Sequence, residues 1–202
     1  KTINLGIMYG MGIGKLAQTL GDIPFEEARV VRDEYDDKVP FIRALASSVM
    51  DTASRRSEVR TLLGRKCRFP MRELKGYSKE YKTPIHADKL EERWADIINT
   101  PVEERDKDWA SMNPRKYQVA FVYKALNRLV QASAADQTKQ AMKDCMDHGH
   151  WPMLTVHDEL CFSIESDEQV SEIKDLMENC APGLKIPSKV DVGLGDNWGS
   201  AK

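Results

Sequence analysis

Apolar residues recur at helical spacing through the first third of the chain, with charged residues between them. The predicted helices are an amino-terminal one, 15–20, 24 to about 40, and 41 to about 56. Pro24 is typical of a helix start, and Glu26 and Glu27 in the first turn interact favourably with the helix dipole. Pro40 interrupts the long segment and divides it in two.

Strand-length and helix-length patterns follow in the rest of the chain. The predicted elements are a hairpin over 59–69 around Gly64, a helix from Pro114 to about Met146, a hairpin over 153–164, a helix over 167–179 and a last strand over 189–192. Pro114 suits the first turn of a helix. Within 71–113, the segment 88–98 also has helical spacing, with Leu90 and Trp94 on one side.

The hairpin over 153–164 has three polar residues at its turn, His157, Asp158 and Glu159. Two adjacent carboxylates repel each other and raise each other's pKa unless a cation neutralises them. A hard divalent cation with oxygen ligands is the simplest such cation. The pattern leaves two interpretations open, a metal-binding turn or a solvated turn with ordinary acidic residues.

The amino-terminal segment combines a cation, apolar side chains and an aromatic ring. At about 3.6 residues per turn, one helix face carries Lys1, Leu5, Met8 and Tyr9. Such a face suits a nucleoside triphosphate, because the lysine can meet the phosphates and the ring can pack against base or sugar. A core helix with an apolar stripe is the other interpretation.

Composition adds little to this picture. The 202 residues are 41% hydrophobic and 31% charged, which is ordinary for a globular protein with a buried core. A net charge of −2 is unusual for a free-standing nucleic-acid-binding domain. Apolar runs stay well below the ~20 residues of a membrane span, and no signal peptide precedes Lys1. Four scattered cysteines predict reduced thiols, and we expect a cytoplasmic protein that does not associate with a membrane.

Four segments carry a resemblance to a known family. They are KTINLGIMYG (1–10), VRTLLGR (59–65), NRLVQASAAD (127–136) and VHDEL (156–160). In this order they resemble the family A DNA polymerases, which include bacterial DNA polymerase I and many phage enzymes. The first resembles motif B, the nucleotide-binding fingers helix, and the last resembles motif C, the metal-holding palm hairpin. Together with 192–198 the segments cover nearly the whole chain.

The resemblance implies an α+β fold, with a helical fingers subdomain and an antiparallel-sheet palm. It divides the chain into fingers helices with their hairpin (1–70), an insertion (71–113) and the carboxy-terminal palm (114–202). The amino-terminal palm with motif A, the thumb and any exonuclease are expected outside this sequence, so we expect no activity from the chain alone.

The insertion over 71–113 has no counterpart of this length in bacterial members. It carries four aromatic residues among many charges, Tyr77, Tyr81, Trp94 and Trp109. One interpretation is a surface elaboration that packs these rings onto the fingers. The other is a contact surface for DNA or for a processivity partner.

The resemblance also implies a two-metal Mg²⁺ site, of which this chain carries one ligand set. Asp158 corresponds to the motif C metal ligand, and Glu159 is a second, less direct carboxylate. His157 is expected near the primer terminus and its phosphate. The second ligand set is expected on motif A, outside this chain.

Three residues are expected at the incoming nucleotide. Lys1 corresponds to the lysine that binds the triphosphate and protonates the departing pyrophosphate, and Tyr9 to the tyrosine at the base of the nucleotide pocket. Leu5 is expected against the sugar, where bacterial enzymes usually carry Phe and some phage enzymes Tyr. Tyr123 stands where bacterial members have Arg. Both departures point to a phage-like subgroup.

Four residues are expected at primer-template DNA. Asn127 and Gln131 correspond to residues that donate hydrogen bonds in the minor groove. The acceptors there are common to all base pairs, so such donors test the shape of the pair and not its sequence. Arg65 and Arg128 are interpreted as phosphate contacts or as solvated surface residues.

The implied function is template-directed DNA polymerisation, in which a nucleotide passes from a dNTP to a primer 3′ end during replication or repair. The expected partners are primer-template DNA, dNTP and the upstream polymerase half. The alternative function is a non-catalytic nucleic-acid-binding module with the same fold. A metal-dependent hydrolase that uses His157 and Asp158 is disfavoured, because the sequence has no second cluster of ligands. For a phage-encoded protein, the expected location is the host cytoplasm.

Overall fold

The computed structural model describes residues 2–76, 83–106, 109–186 and 188–201. The helices within these ranges are α1 (Thr2–Met8), α2 (Ile13–Thr19), α3 (Phe25–Lys38), α4 (Pro40–Arg56), α5 (Ala87–Asn99), α6 (Ala125–Asp147) and α7 (Asp167–Asn179). The strands are β1 (Glu58–Arg60), β2 (Lys66–Arg68), β3 (Met71–Leu74), β4 (Ile85–His86), β5 (Tyr117–Val119), β6 (Leu154–Val156) and β7 (Glu159–Cys161). The predicted α+β fold is confirmed.

The chain forms two compact units, which are described separately. The first takes in residues 1–59 and 66–129, and the second takes in 60–65 and 130–202. The second unit therefore includes the tip of the β1–β2 hairpin. The predicted division into fingers, insertion and palm at 70 and 113 stays a prediction.

Helices α1, α2 and α3 share a small apolar core in the first unit. Its centre is Leu16, Ala17 and Ala28, and partly buried residues of α1, α2 and the connecting segments pack around it. Leu16 and Ala28 are fully buried. Burial of this apolar surface, more than intrinsic helix propensity, stabilises helices as short as α1 and α2. The four helices predicted in the first third are all present.

A three-stranded antiparallel sheet in the first unit has the order β4-β3-β5. Arg72 of β3 lies opposite Ile85 on one side and Val119 on the other. Helix α5 follows β4 directly and buries Leu90. Trp94 of α5 stacks on Trp109, with ring centroids 6.1 Å apart. These two aromatic residues of the predicted insertion thus pack against each other, while Tyr77 and Tyr81 lie outside the described residues.

The start of α6 differs from the prediction. Pro114 begins a single 3₁₀ turn, not a long helix, and strand β5 follows it. Phe121 then takes a left-handed conformation with φ +61°, and α6 begins at Ala125. Helical spacing places Val119 and Val122 on one apolar stripe of a predicted helix, whereas Val119 pairs with β3 as part of β5 and Val122 begins a 3₁₀ turn.

The second unit packs part of α6 against β7 and α7. Ala141, Cys180 and Ala181 form its buried cluster, and Leu160 and Met177 pack against them. Helix α7 has the predicted bounds. The Ser166 side chain accepts a hydrogen bond from the backbone N–H of Gln169, and this bond caps the start of the helix.

The strand predicted over 189–192 is not present in the structure. A strand requires a hydrogen-bonded neighbour, and the N–H of Val190 donates instead to the side chain of Glu178 at 3.1 Å. Lys189 also pairs with Glu178 at 3.8 Å. This segment is therefore held by a carboxylate of α7.

Candidate active site

The hairpin of β6 and β7 presents the first candidate residues. Its register pairs Leu154 with Cys161 and Val156 with Glu159, so only His157 and Asp158 form the turn. His157 has φ +56°, a conformation that costs energy in a residue other than glycine. The prediction placed Glu159 in the turn as well, and this is wrong, because Glu159 is the first residue of β7.

His157, Asp158 and Glu159 are all exposed to solvent. Carboxylate oxygens at the tip of a tight turn are the ligand type that Mg²⁺ prefers. Within the described ranges, however, no three His, Cys, Asp or Glu side chains come together as a metal site. The carboxylates of Asp158 and Glu159 are therefore ligands of the right type for a hard divalent cation. The described residues alone do not complete its coordination.

Helix α1 carries the candidate nucleotide-binding residues. Its buried side includes Ile7, which is 2% exposed, whereas Leu5 is 40% exposed. Tyr9 follows the helix, and its N–H donates to the carbonyl of Leu5 at 3.0 Å. Lys1 lies outside the described residues. Leu5 and Tyr9 thus stand on one short element, with Leu5 open to solvent.

Contacts that were not predicted from the sequence tie α1 and the turn after it to α3. The hydroxyl of Tyr35 and the side chain of Asn4 form a short hydrogen bond. Arg32 donates to the main-chain carbonyl of Met11 at 3.0 Å and pairs with Asp36 at 3.2 Å. The only sign of these contacts in the sequence is the presence of polar side chains on α3, and helical periodicity does not show which groups they bind.

Two glycines shape the turn that follows α1. Gly10 has φ +83°, which glycine adopts without steric cost. A Cβ atom on Gly6 would lie 2.0 Å from the terminal methyl of Met11. The chain therefore turns back closely onto α1 after Tyr9. The left-handed turn accounts for glycine at position 10, whereas the atom nearest Gly6 is the end of a flexible Met11 side chain.

Helix α6 carries the candidate minor-groove residues. Asn127 is half-buried and Gln131, four positions later, is exposed. Arg128 donates to the main-chain carbonyl of Arg68 at 2.6 Å, and its guanidinium lies 4.9 Å from the centroid of the Phe69 ring. Arg128 is thus engaged with the β2 end of the hairpin in the first unit.

Arg65, in the second unit, is engaged with α6. Its Nε atom donates to the Asp136 carboxylate at 2.5 Å. Burial alone would raise the pKa of the Asp136 carboxyl, but hydrogen bonds from Thr61 and Arg65 and the nearby positive charges outweigh it and lower the pKa. Asp136 was not predicted as a site residue, although a carboxylate that follows a run of small residues is a visible signal in the sequence.

His148 and His150 flank Gly149, a spacing that predicts exposed turn residues in preference to a metal site. His148 is exposed, and its Nδ1 lies 2.8 Å from the carbonyl oxygen of Asp144. The side chain of His150 is only 12% exposed, and its Nε2 lies 3.0 Å from a carboxylate oxygen of Glu172. His150 therefore contacts α7 and is not an exposed residue.

Within each unit the structure brings some of the predicted residues together. Leu5 and Tyr9 share the α1 segment of the first unit, and His157, Asp158 and Glu159 share the hairpin tip of the second. Their roles at nucleotide, metal and DNA stay predictions. Within the described ranges, no helix is both long and apolar enough to cross a lipid bilayer.

Comparison with known proteins places the chain among polymerases. The profile of DNA polymerase family A matches residues 1–200. The chain is 31% identical over 232 residues to a DNA-directed DNA polymerase of Pseudomonas phage M6. It is 32% identical over 209 residues to the thermostable DNA polymerase I of Thermus aquaticus. The chain belongs to family A of the DNA polymerases.

A solved structure agrees in fold. The POL domain of Pol1 from M. smegmatis, in complex with DNA primer-template and dNTP, matches with a TM-score of 0.67 and 26% sequence identity. The match covers 99% of this chain and 30% of that chain. The sequence matches cover 98% of this chain and 28% of the phage relative, and all of this chain and 20% of the Thermus relative. The chain thus spans less than a third of each of these relatives.

Proposed function

We propose that this chain is the fingers and carboxy-terminal palm portion of a template-directed DNA polymerase. The reaction is the transfer of a nucleotide from a dNTP to a primer 3′ end, in replication or repair. The observation that carries the proposal is the exposed Asp158 at a two-residue turn, in a chain that belongs to this family. The relative from a phage and the aliphatic Leu5 support a phage-type enzyme.

Family A polymerases use divalent metal ions, and Asp158 and Glu159 would hold Mg²⁺ here. The bound metal would neutralise charge on the transferring and leaving oxygens. Asp158 contributes a carboxylate that is accessible on the turn, and Glu159 contributes one from the adjacent strand position. His157, next to both, is assigned to the phosphate at the primer terminus.

Separate elements of the chain are assigned to bind the nucleotide and the DNA. Leu5 packs against the incoming sugar and Tyr9 forms the base of the pocket, while Lys1 binds the triphosphate. Asn127 and Gln131 donate hydrogen bonds to the minor-groove acceptors that all base pairs share.

The upstream polymerase half is assigned as a partner, since it would supply the motif A carboxylate and the thumb. The incomplete ligand set at Asp158, within the part of the chain that the structure describes, supports this assignment. The chain alone then binds primer-template weakly, with a strong dependence on salt, and does not extend a primer. A cytoplasmic location, in the host cell for a phage protein, belongs to the same proposal.

The alternative is a non-catalytic module that binds nucleic acid with a polymerase-like fold. Primer extension by the complete polymerase that contains this chain distinguishes the two. Each dNTP is offered singly, with Mg²⁺, against four templates that differ only in the templating base. We expect extension only by the complementary nucleotide. Binding of primer-template without extension would favour the alternative, and extension without regard to the template would contradict both.

A further inference from the structure

The tip of the β1–β2 hairpin is bonded along one turn of α6. The N–H of Leu62 donates to the hydroxyl of Ser133 at 3.0 Å. Arg65 donates from Nη2 to the main-chain carbonyl of Ala132 at 3.1 Å and from Nε to Asp136. These acceptors all belong to a single stretch of the helix. We name Arg65, Asp136 and these bonds the hairpin clamp.

The clamp is formed around a buried charge. Asp136 is 6% exposed, although the two positions before it on α6, 134 and 135, are exposed. Its Oδ2 atom is buried and meets hydrogen-bond geometry with no described residue. A buried carboxylate is costly unless a cation and donors compensate it. Thr61 and Arg65 of the hairpin tip compensate it with hydrogen bonds, and Lys139 on α6 adds a second nearby positive charge. Because Thr61 and Arg65 both belong to the hairpin tip, most of this compensation requires the tip to stay on the helix.

The hairpin tip is itself ordered for this contact. The main-chain N–H of Arg65 donates to the Thr61 hydroxyl at 3.0 Å, and the N–H of Thr61 donates to the carbonyl of Arg65 at 2.9 Å. Gly64 closes the turn with φ +84°. The backbone that carries Arg65 is thus held by hydrogen bonds within the hairpin tip itself, independently of the contact with α6.

Gln131 immediately precedes the carbonyl that Arg65 holds. It is exposed on α6, next to Ala132 and within the turn that the clamp engages. The side chains over 132–135 are small, and only Ala132 and Ser133 among them are partly buried. Hydrogen bonds from the hairpin tip to the Ser133 hydroxyl and the Ala132 carbonyl add contacts that hold this turn.

We propose that Arg65 and Asp136 are positioning residues that fix the turn of α6 bearing Gln131, and so set how strictly the polymerase tests the base pair at the primer end. This inference rests on the proposed function. It gives Arg65 a role other than the predicted phosphate contact, one supported by the two guanidinium N–H groups that are bonded to protein acceptors.

Removing the negative charge of Asp136 distinguishes a phosphate-contact role of Arg65 from a positioning role. If Arg65 acts only through its positive charge toward DNA, removal of the negative charge of Asp136 should strengthen or spare DNA binding. If the pair positions Gln131, loss of either partner should have the same effect on discrimination. Asp136→Asn keeps the shape of the side chain and removes the charge, so it is the informative variant.

The experiment measures kcat/KM for extension of matched and mismatched primer ends by the complete polymerase. We expect Arg65→Ala and Asp136→Asn each to lower the matched-to-mismatched ratio by about tenfold, since misplacement of a recognition group by an ångström has effects of this size or larger. Gln131→Ala should lower the ratio similarly. Asp136→Asn added to Gln131→Ala should change it no further, because the two act through the same contact.

Lys66→Ala is the matched control. Lys66 is the next residue, carries the same charge and pairs with Glu58 at 3.5 Å, not with α6. Its ratio should equal that of the wild type. Arg65→Lys, the milder variant in case others fold poorly, should retain part of the discrimination.

Three results would overturn the inference: an unchanged ratio in Asp136→Asn, an effect of Asp136→Asn that adds fully to that of Gln131→Ala, or equal losses in Lys66→Ala and Arg65→Ala. A wild-type polymerase that extends no primer would instead overturn the proposed function, so the two failures are distinct.

Discussion

Arg65 and Asp136, which lie 71 positions apart in the sequence, form an ion pair with 2.5 Å between Nε and Oδ1. The two side chains of this pair differ in their exposure to solvent. The side chain of Asp136 is 7% exposed, whereas that of Arg65 is 48% exposed. The carboxylate therefore depends on the arginine more than the arginine depends on the carboxylate, because only the buried charge has lost most of its contact with water.

This dependence predicts a pH-sensitive contribution to stability. The pKa of the Asp136 carboxyl is lowered in the folded protein, so the ionised pair stabilises the fold above the unfolded pKa, which is about 4. That contribution is lost as the pH falls from there through the folded pKa. We expect Asp136→Asn to lower the free energy of unfolding by about 2 kcal/mol at pH 7. The difference should be constant from about pH 6 to 8 and shrink below about pH 4.

Denaturant unfolding of wild type and Asp136→Asn across this pH range provides the measurement. Asp147→Asn is the control on the same helix, since Asp147 forms an exposed pair with Lys143. Water screens that pair, so its loss should barely move the unfolding midpoint. A difference for Asp136→Asn that persists undiminished in acid would contradict the assignment.

Leu5 predicts a change in sugar discrimination. Its side chain is 40% exposed on α1 and is assigned to the sugar of the incoming nucleotide. Replacement by Phe or Tyr fills this space with a rigid ring, so the ratio of dideoxynucleotide to deoxynucleotide incorporation should change. The ratio is measured by competition on one template. Leu5→Met, which keeps a flexible apolar side chain of similar volume, should leave this ratio nearly unchanged. If no aromatic replacement moves the ratio beyond error, α1 is not the nucleotide-binding helix.

The cysteines predict a selective pattern of thiol reactivity. All four are free thiols, and Cys145 is fully buried. Burial, with a smaller effect from Asp144, raises the pKa of Cys145 to about 11. Only about one part in a thousand is then thiolate at pH 8. We expect the half-buried Cys161 to react first with a soluble disulfide reagent, and Cys145 only on unfolding.

Mass spectrometry of the labelled peptides checks this pattern. Cys161→Ser should remove the fast phase of the reaction. Labelling of Cys145 in the folded protein as rapidly as Cys161 would show that its surroundings are more open than the structure describes.

Local sequence signals predicted the helices better than the strands. Helix α7 has its predicted bounds because Ser166 caps it and the apolar spacing behind the cap is regular. Pro114 misled the prediction of α6, because a proline at a first-turn position suits a 3₁₀ turn as well as a long helix. The strand β5 that follows depends on pairing with β3, which local periodicity does not report.

The parts of the candidate site that depend on a local sequence pattern were predictable, and the long-range contacts were not. The hairpin that presents Asp158 was visible from two apolar runs around polar residues, and only its register moved Glu159 from the turn into a strand. The partners of Arg65 were not visible, because a contact across 71 positions leaves no local pattern. The bond between Tyr35 and Asn4 was missed likewise.

The most direct test of the proposed function is single-turnover nucleotide incorporation by the complete polymerase carrying Asp158→Asn. With Mg²⁺ and a saturating dNTP, we expect the rate to fall by about a thousandfold, because loss of a metal-binding carboxylate costs several kcal/mol of charge stabilisation. Binding of primer-template, measured in parallel, should be nearly unchanged. Asp167→Asn, an exposed carboxylate at the start of α7, should behave as the wild type. If Asp158→Asn kept about a tenth or more of the wild-type rate, Asp158 would not be the metal ligand, and the account of this site would be contradicted.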